Sequence, residues 1–308
     1  MKALARGWNA FWFAPAAPVN LAAARIIIAL HALWILGSRD FAGISALPEV
    51  FWQGVPPSAR WRYLLFPGHS EFEAGLTLLA ALTLIAVALG LATRVTCLTS
   101  ALLLYHLAPL ETIIWTSSPY ERGLEISVIA LVVLAVSPCA DALRVGRQRR
   151  PSTRATSPDY NWPLLVIQLV IAQVYLFAGY AKLYRVGPDW VDAENLRRWL
   201  LAFNQQDQVA VFRWLAPLLA ASDVTALLVA IAALTFDLVF IVTLFWRRSR
   251  VVLLPMAVAF HAVILFAFNI AFLNFPQLLV FVDWEWWGLR RRMHASAVAA
   301  SEATFASR

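Results

Sequence analysis

The chain has 308 residues, of which 61% are hydrophobic and 14% charged, and its mean hydropathy is +0.68. A soluble domain carries about 25% charged residues, so this composition excludes an ordinary soluble globular protein and indicates a membrane one. The formal charge of +7 does not read as a nucleic-acid footprint, because the arginines cluster in short loops between apolar runs.

The N-terminal stretch MKALARGWNAFWFAPAAP carries Lys2 and Arg6 but no apolar core followed by a small-residue cleavage site. No cleaved signal peptide is expected, and the first span acts as its own anchor. Eight apolar segments follow, at 20–37, 74–92, 95–115, 124–138, 163–183, 224–246, 251–268 and 270–287. Each approaches the roughly 20 residues that a spanning helix needs, the fourth and the last two being short. Asn and Pro in FNIAFLNFP predict a reversal between the last two, which form a hairpin. The expected fold is all-α: a polytopic helical membrane bundle of about eight transmembrane helices. Residues 1–292 form one membrane domain, and 293–308 a disordered cytoplasmic tail.

Loop charge orients this bundle. Arg144, Arg147, Arg149, Arg150 and Arg154 lie between the fourth and fifth segments. Arg247, Arg248 and Arg250 lie between the sixth and seventh, and Arg290, Arg291 and Arg292 follow the eighth. With eight spans all three clusters fall on the side of Lys2 and Arg6, and positive loops mark the cytoplasm. The N- and C-termini are therefore expected inside, in a multi-pass protein of the inner cell membrane. Two long loops, 38–73 and 184–223, face out. In the second, Trp190, Trp199, Phe203, Phe212 and Trp214 are candidates for the membrane interface. The two cysteines, Cys97 and Cys139, form no CxxC, metal or disulfide pattern.

Polar side chains inside spans are costly and usually face the bundle interior, so each is a site hypothesis. In the fifth segment Gln168, Tyr175, Gly179 and Lys182 recur at intervals of 7, 4 and 3, on one helix face. One reading is a packing seam, with Gly179 admitting a neighbour and Lys182 snorkelling outward. The other is a cavity wall ending in a base. Lysine occurs only at 2 and 182 in a chain whose other cations are arginines. A lysine in an apolar setting can lose its proton, and an arginine cannot. Asp237 and His261 are candidates to line the same cavity, and Arg25 is expected to pair with a buried acid. His31, His106, Glu111 and Glu125 complete the intramembrane polar set. No HExxH, His-x-His or carboxylate cluster is present, so no metal is expected.

Four stretches, in order, carry a resemblance: APVNLAAARIIIAL, LGLATRVTCL, YLFAGYAKL followed by DW, and FHAVILFAFNIAFLNF. They are similar to the membrane domain shared by vitamin K-dependent gamma-carboxylases and their bacterial relatives, the horizontally transferred transmembrane (HTTM) family. In the carboxylases the lysine of the Gly-x-x-Lys-Leu stretch deprotonates vitamin K hydroquinone. The resemblance thus implies Lys182 as base, a quinone or hydroquinone as cofactor, and carboxylase-like lyase chemistry at an externally facing site. It also implies lipid as the surrounding partner, and a peptide, small protein substrate or separate subunit as a further one. The chain departs from the carboxylases at Ser118 or Pro119, where they carry a histidine, and at Ala181, where they carry a first lysine. Only 21 residues follow Trp287, where the carboxylases continue into a large extramembrane domain.

Two functions follow as expectations: a quinone-linked enzyme with Lys182 as base, or a non-enzymatic membrane protein that binds a lipid, quinone or peptide and assists maturation or export of a partner. A proton-coupled transporter built on Asp237, His106 and Glu111 ranks below both, because no inverted repeat or pair of broken helices is evident.

Overall fold

The computed structural model describes residues 2–53, 69–114, 123–146, 156–204, 214–268 and 270–288. Arg147, Arg149, Arg150, Arg154, Ser118, Pro119, Phe212, the arginines at 290–292 and the tail 293–308 lie outside them.

Among the described residues the chain is helical, with a single isolated β-bridge between Ala16 and Ser157. In chain order come α1 (Lys2–Trp12), α2 (Pro18–Ser38), α3 (Phe41–Ser45), α4 (Glu49–Gln53), α5 (Ser70–Leu89) and α6 (Thr93–Ile114). Next are α7 (Glu125–Ala135), α8 (Asn161–Val186), α9 (Ala193–Asn204), α10 (Leu215–Ala220), α11 (Asp223–Val239), α12 (Val242–Phe245) and α13 (Arg250–Phe268). A 3-10 segment, Phe275–Phe281, closes the bundle.

Local chemistry sets several boundaries. Pro18 opens α2, where its missing N–H costs no helical bond. Gly90, with φ 75°, ends α5 and donates its N–H to Val87 O at 3.0 Å, making the sharp turn into α6. Among the described residues, four helical segments are long and apolar enough to cross a membrane: Pro18–Ser38, Ser70–Leu89, Pro158–Trp190 and Arg247–Phe268. Apolar side chains face outward on them and their neighbours, as at Leu78 (62% exposed), Val95 (66%), Leu102 (64%) and Val251 (79%). Surface of that kind is what lipid requires.

Three expected spans take other forms. The fourth segment holds α7, whose 11 residues reach about 17 Å, roughly half of a hydrocarbon core. The sixth is divided: α11 ends at Val239, and α12 begins at Val242 after a break at Phe240 and Ile241. The eighth returns to the starting end not as a long helix but through the 3-10 segment Phe275–Phe281. Non-helical backbone at membrane depth is tolerated only inside protein, with its polar groups satisfied. Here Gln277 and Phe281 are fully buried, and the carbonyls of Val280 and Leu273 receive side-chain hydrogen bonds from Gln168 (3.0 Å) and His31 (2.9 Å).

One end of the bundle gathers the N-terminal segment, the α5–α6 turn, the connection before α8 and the return after the 3-10 segment. Asn161 Nδ2 donates to the carbonyls of Phe11 and Trp12, both at 3.0 Å, and Val145 N–H donates to Leu89 O at 2.9 Å. Asn20 joins Asp283 and Trp284. The opposite end carries the C-terminal part of α8 and helices α9 and α10.

Candidate functional site

α8 is the spine of the site. It runs 26 residues from Asn161 to Val186 and ends at Gly187, whose φ of 75° turns the chain into the 3-10 segment Gly187–Trp190. That turn carries Trp190 back over the end of the helix, and its ring centroid lies 4.7 Å from Lys182 Nζ. This is cation–π distance, in a setting where desolvation strengthens the contact. Lys182 also donates to Asp237 of α11, whose side chain is 3% exposed against 24% for the lysine.

Gly179 makes that pairing possible. It lies one turn before Lys182, and a Cβ at 179 would fall 2.8 Å from Leu238 Cδ2 and 3.1 Å from Asp237 Cβ. A side chain there would push α11 away, so the small residue lets the two helices close.

In front of Lys182 lies a cavity of about 460 Å³. Its walls come from α11 (Val229, Ala233, Phe236), α13 (Met256, Phe260, Val263), α9 (Leu196, Trp199) and Trp190. α9 closes it from the end of the bundle. There Arg197 Nε donates to Ala220 O at 3.0 Å and its guanidinium pairs with Asp223, tying α9 to α10 and the start of α11. Leu200 and Ala216, both fully buried, pack in the apolar cluster beneath. Lys182 is the ionisable side chain among the described residues lining this cavity.

The other members of the polar face stand elsewhere. Asp237 and Gly179 form the wall behind Lys182. Tyr175 and His261 lie one layer deeper, separated from the cavity by Phe236 and Phe260. His261 Nδ1 donates to Ala257 O at 2.7 Å, which fixes the proton on that nitrogen. Its Nε2 therefore accepts from the Tyr175 hydroxyl at 3.3 Å. Gln168 is 14 residues from Lys182, which along a helix is about 21 Å. It belongs to the opposite end, joining Val280 O (3.0 Å) to Arg250 (2.9 Å). A shared helix face is thus not a shared cavity: the pitch of α8 spreads its polar groups over three levels.

Arg25, expected to pair with a buried acid, is held by the main chain among the described residues. It bonds four main-chain carbonyls there: Cys139 (2.5 Å), Leu143 (2.6 Å), Ala88 (3.3 Å) and Ala142 (3.4 Å). Because α7 ends early, residues 136–143 run irregularly, with Ser137 and Cys139 buried, and their carbonyls need donors. One fully buried guanidinium answers several at once. His31 has a similar task, with Nε2 2.9 Å from Leu273 O and Nδ1 3.0 Å from Gln277 Nε2. His106 sits in a second buried polar pair, Nε2 lying 2.9 Å from both Glu73 oxygens, between α6 and α5. The side chain of Glu111 lies outside the described residues. Trp190 and Trp199, candidates for the membrane interface, both line the cavity. Sequence reasoning passed over Glu73, Ser127 and Gln277 as polar members of the bundle. The Asp-Trp pair after the lysine was the available signal for Trp190.

Fold and site together define a polytopic helical membrane protein with one lysine facing an apolar cavity. The family model of the HTTM domain matches residues 13–286. The chain belongs to the HTTM family. No curated protein and no solved structure matches it.

Proposed function

We propose that the cavity beside Lys182 binds a hydroquinone-like amphiphile and that the Lys182–Asp237 pair takes up its proton, as in a carboxylase-like enzyme. The observation that carries this is the placing of a single lysine, backed by a buried carboxylate, on the wall of an otherwise apolar and aromatic cavity. The residues present suit such a ligand. Phe236, Phe260, Trp190 and Trp199 offer flat faces to a ring, and Val229, Val263 and Ile264 offer apolar surface to a tail. When bound, such a ligand supplies a weakly acidic hydroxyl. Asp237 accepts the Lys182 proton within their hydrogen bond, leaving a lone pair on Nζ. Nζ then takes the hydroxyl proton, and the restored ammonium remains beside the oxygen it came from. The aromatic walls exclude water and keep that electrostatic contact strong.

The topology that goes with this reading has both termini in the cytoplasm, in the inner membrane, with the Lys182 cavity facing outward. The grouping of Arg144, Arg247, Arg248 and Arg250 at the end opposite Lys182 supports it.

Purified protein given a reduced naphthoquinone should consume oxygen, with Lys182→Ala and Asp237→Asn reducing the rate. Equal rates in wild type and Lys182→Ala would sink the enzymatic reading. One observation favours a second function: Asp237 neutralises Lys182 in the structure, as suits a non-enzymatic binder of a lipid, quinone or peptide that assists a partner. Under that reading a naphthoquinone analogue quenches the fluorescence of Trp190 and Trp199 without turnover.

A further inference from the structure

At the end of the bundle away from Lys182, a polar pocket of about 100 Å³ lies among Asn20, Asn161, Arg247, Arg250, Asp283 and Glu285. Beside it an apolar groove of about 590 Å³ runs between Leu254, Pro255 and Val258 of α13 and Phe275, Leu278 and Leu279 of the 3-10 segment. Val282 lines both.

The two walls of the groove share one polarity. Arg250, Leu254 and Val258 follow at intervals of four, on one face of α13 with the cation at one end. On the facing wall Leu278, Leu279 and Val282 lead directly to Asp283 and Glu285. Both walls change from charged to apolar in the same direction, over about 12 Å of α13. A molecule that fits both has a charged head and a hydrocarbon tail.

The charges describe the head. Arg247 is exposed and spends Nη2 on Asn161 Oδ1 at 3.1 Å. Arg250 is committed to Thr243 O (2.9 Å), Gln168 Oε1 (2.9 Å) and Phe281 O (3.3 Å), so it supplies field rather than new bonds. The N-terminal end of α13 begins at Arg250 and adds to that positive field. Against these stand two carboxylates. Asp283 Oδ1 accepts from Asn20 Nδ2 and Trp286 N, each at 3.2 Å, and Glu285 is exposed. A head with phosphate alone would meet those carboxylates unbalanced; a head with phosphate and amine satisfies both signs. Trp284, Trp286 and Trp287 at the same end mark headgroup depth.

We propose that this pocket and groove form a binding site for one phospholipid with an amine-bearing, phosphoethanolamine-type headgroup. Its phosphate meets Arg247, its ammonium meets Glu285 and Asp283, and an acyl chain lies along Leu254, Val258 and Leu279.

The test delipidates the full chain in detergent and measures binding by native mass spectrometry. The probes are phosphatidylethanolamine, phosphatidylglycerol of equal chain length, and water-soluble glycerophosphoethanolamine. Wild type should prefer phosphatidylethanolamine. Arg247→Gln should weaken both lipids roughly tenfold, the worth of a charge-assisted hydrogen bond. Glu285→Gln should remove the preference, and Val258→Trp should block the lipids. Wild-type behaviour in Arg247→Gln or in Glu285→Gln overturns the proposal. So does glycerophosphoethanolamine binding as tightly as the lipid, since the groove would then add nothing.

Discussion

Lys182 of α8 donates a hydrogen bond to Asp237 of α11, and the carboxylate sits behind the lysine as seen from the cavity. The arrangement makes one charge unit of two helices. Each partner is expensive to bury alone, because a lone ion in low dielectric loses its hydration without compensation. Their tie therefore serves stability and site geometry together.

Removing one partner should show that coupling. Asp237→Ala should destabilise the protein by roughly 3 kcal/mol, the range seen when a buried pair loses one member. The paired replacement Lys182→Met with Asp237→Leu should recover most of the loss. Thermal unfolding in detergent, run as a double-mutant cycle, measures the interaction; strictly additive effects would show the two residues act independently.

Gly179 should tolerate little. Gly179→Ala places a Cβ 2.8 Å from Leu238 Cδ2, and overpacking of this kind costs about 1–3 kcal/mol. Leu238→Ala in the same background should restore much of the stability. If Gly179→Ala alone unfolds at the wild-type temperature, the close approach of α8 and α11 is not a constraint.

Arg25 should resist even conservative change. Arg25→Lys keeps the charge but loses the planar fork that reaches the carbonyls of Ala88 and Cys139 together. We expect a sharp drop in the folded fraction seen by size-exclusion chromatography of detergent extracts, with Arg25→Met lower still. An acid-pairing role would instead let Arg25→Lys behave as wild type.

Gln168 and Tyr175 should separate in severity although they share a helix face. Gln168→Leu leaves Val280 O without its donor and Arg250 without one acceptor, a loss of roughly 2–3 kcal/mol. Tyr175→Phe gives up one hydrogen bond of 3.3 Å, worth about 1 kcal/mol. Apparent melting temperatures of the two variants in one detergent rank them, and the reverse order would contradict the assignment of Gln168 to the non-helical return.

Much of the protein was legible as sequence. Apolar runs of membrane length, sparse charge and arginine-rich loops indicate a helical membrane bundle before any coordinates, because lipid leaves the backbone few alternatives. The four ordered stretches pointed to the family, and the isolated lysine singled out the residue that faces the cavity. The periodicity of Gln168, Tyr175, Gly179 and Lys182 placed them correctly on one face of α8. Periodicity carries direction around a helix but says nothing of what stands opposite at each level. Only the packed bundle gave Lys182 a carboxylate and a cavity, Tyr175 a histidine, and Gln168 a carbonyl at the far end. The same holds for the eighth apolar segment. Its hydropathy suits a span, yet tertiary contacts decide its form, since polar side chains from α2, α8 and α13 supply the hydrogen bonds that a helix would have made for itself. Composition reports the solvent a segment can tolerate; which partners satisfy its backbone is settled by neighbours distant in the chain.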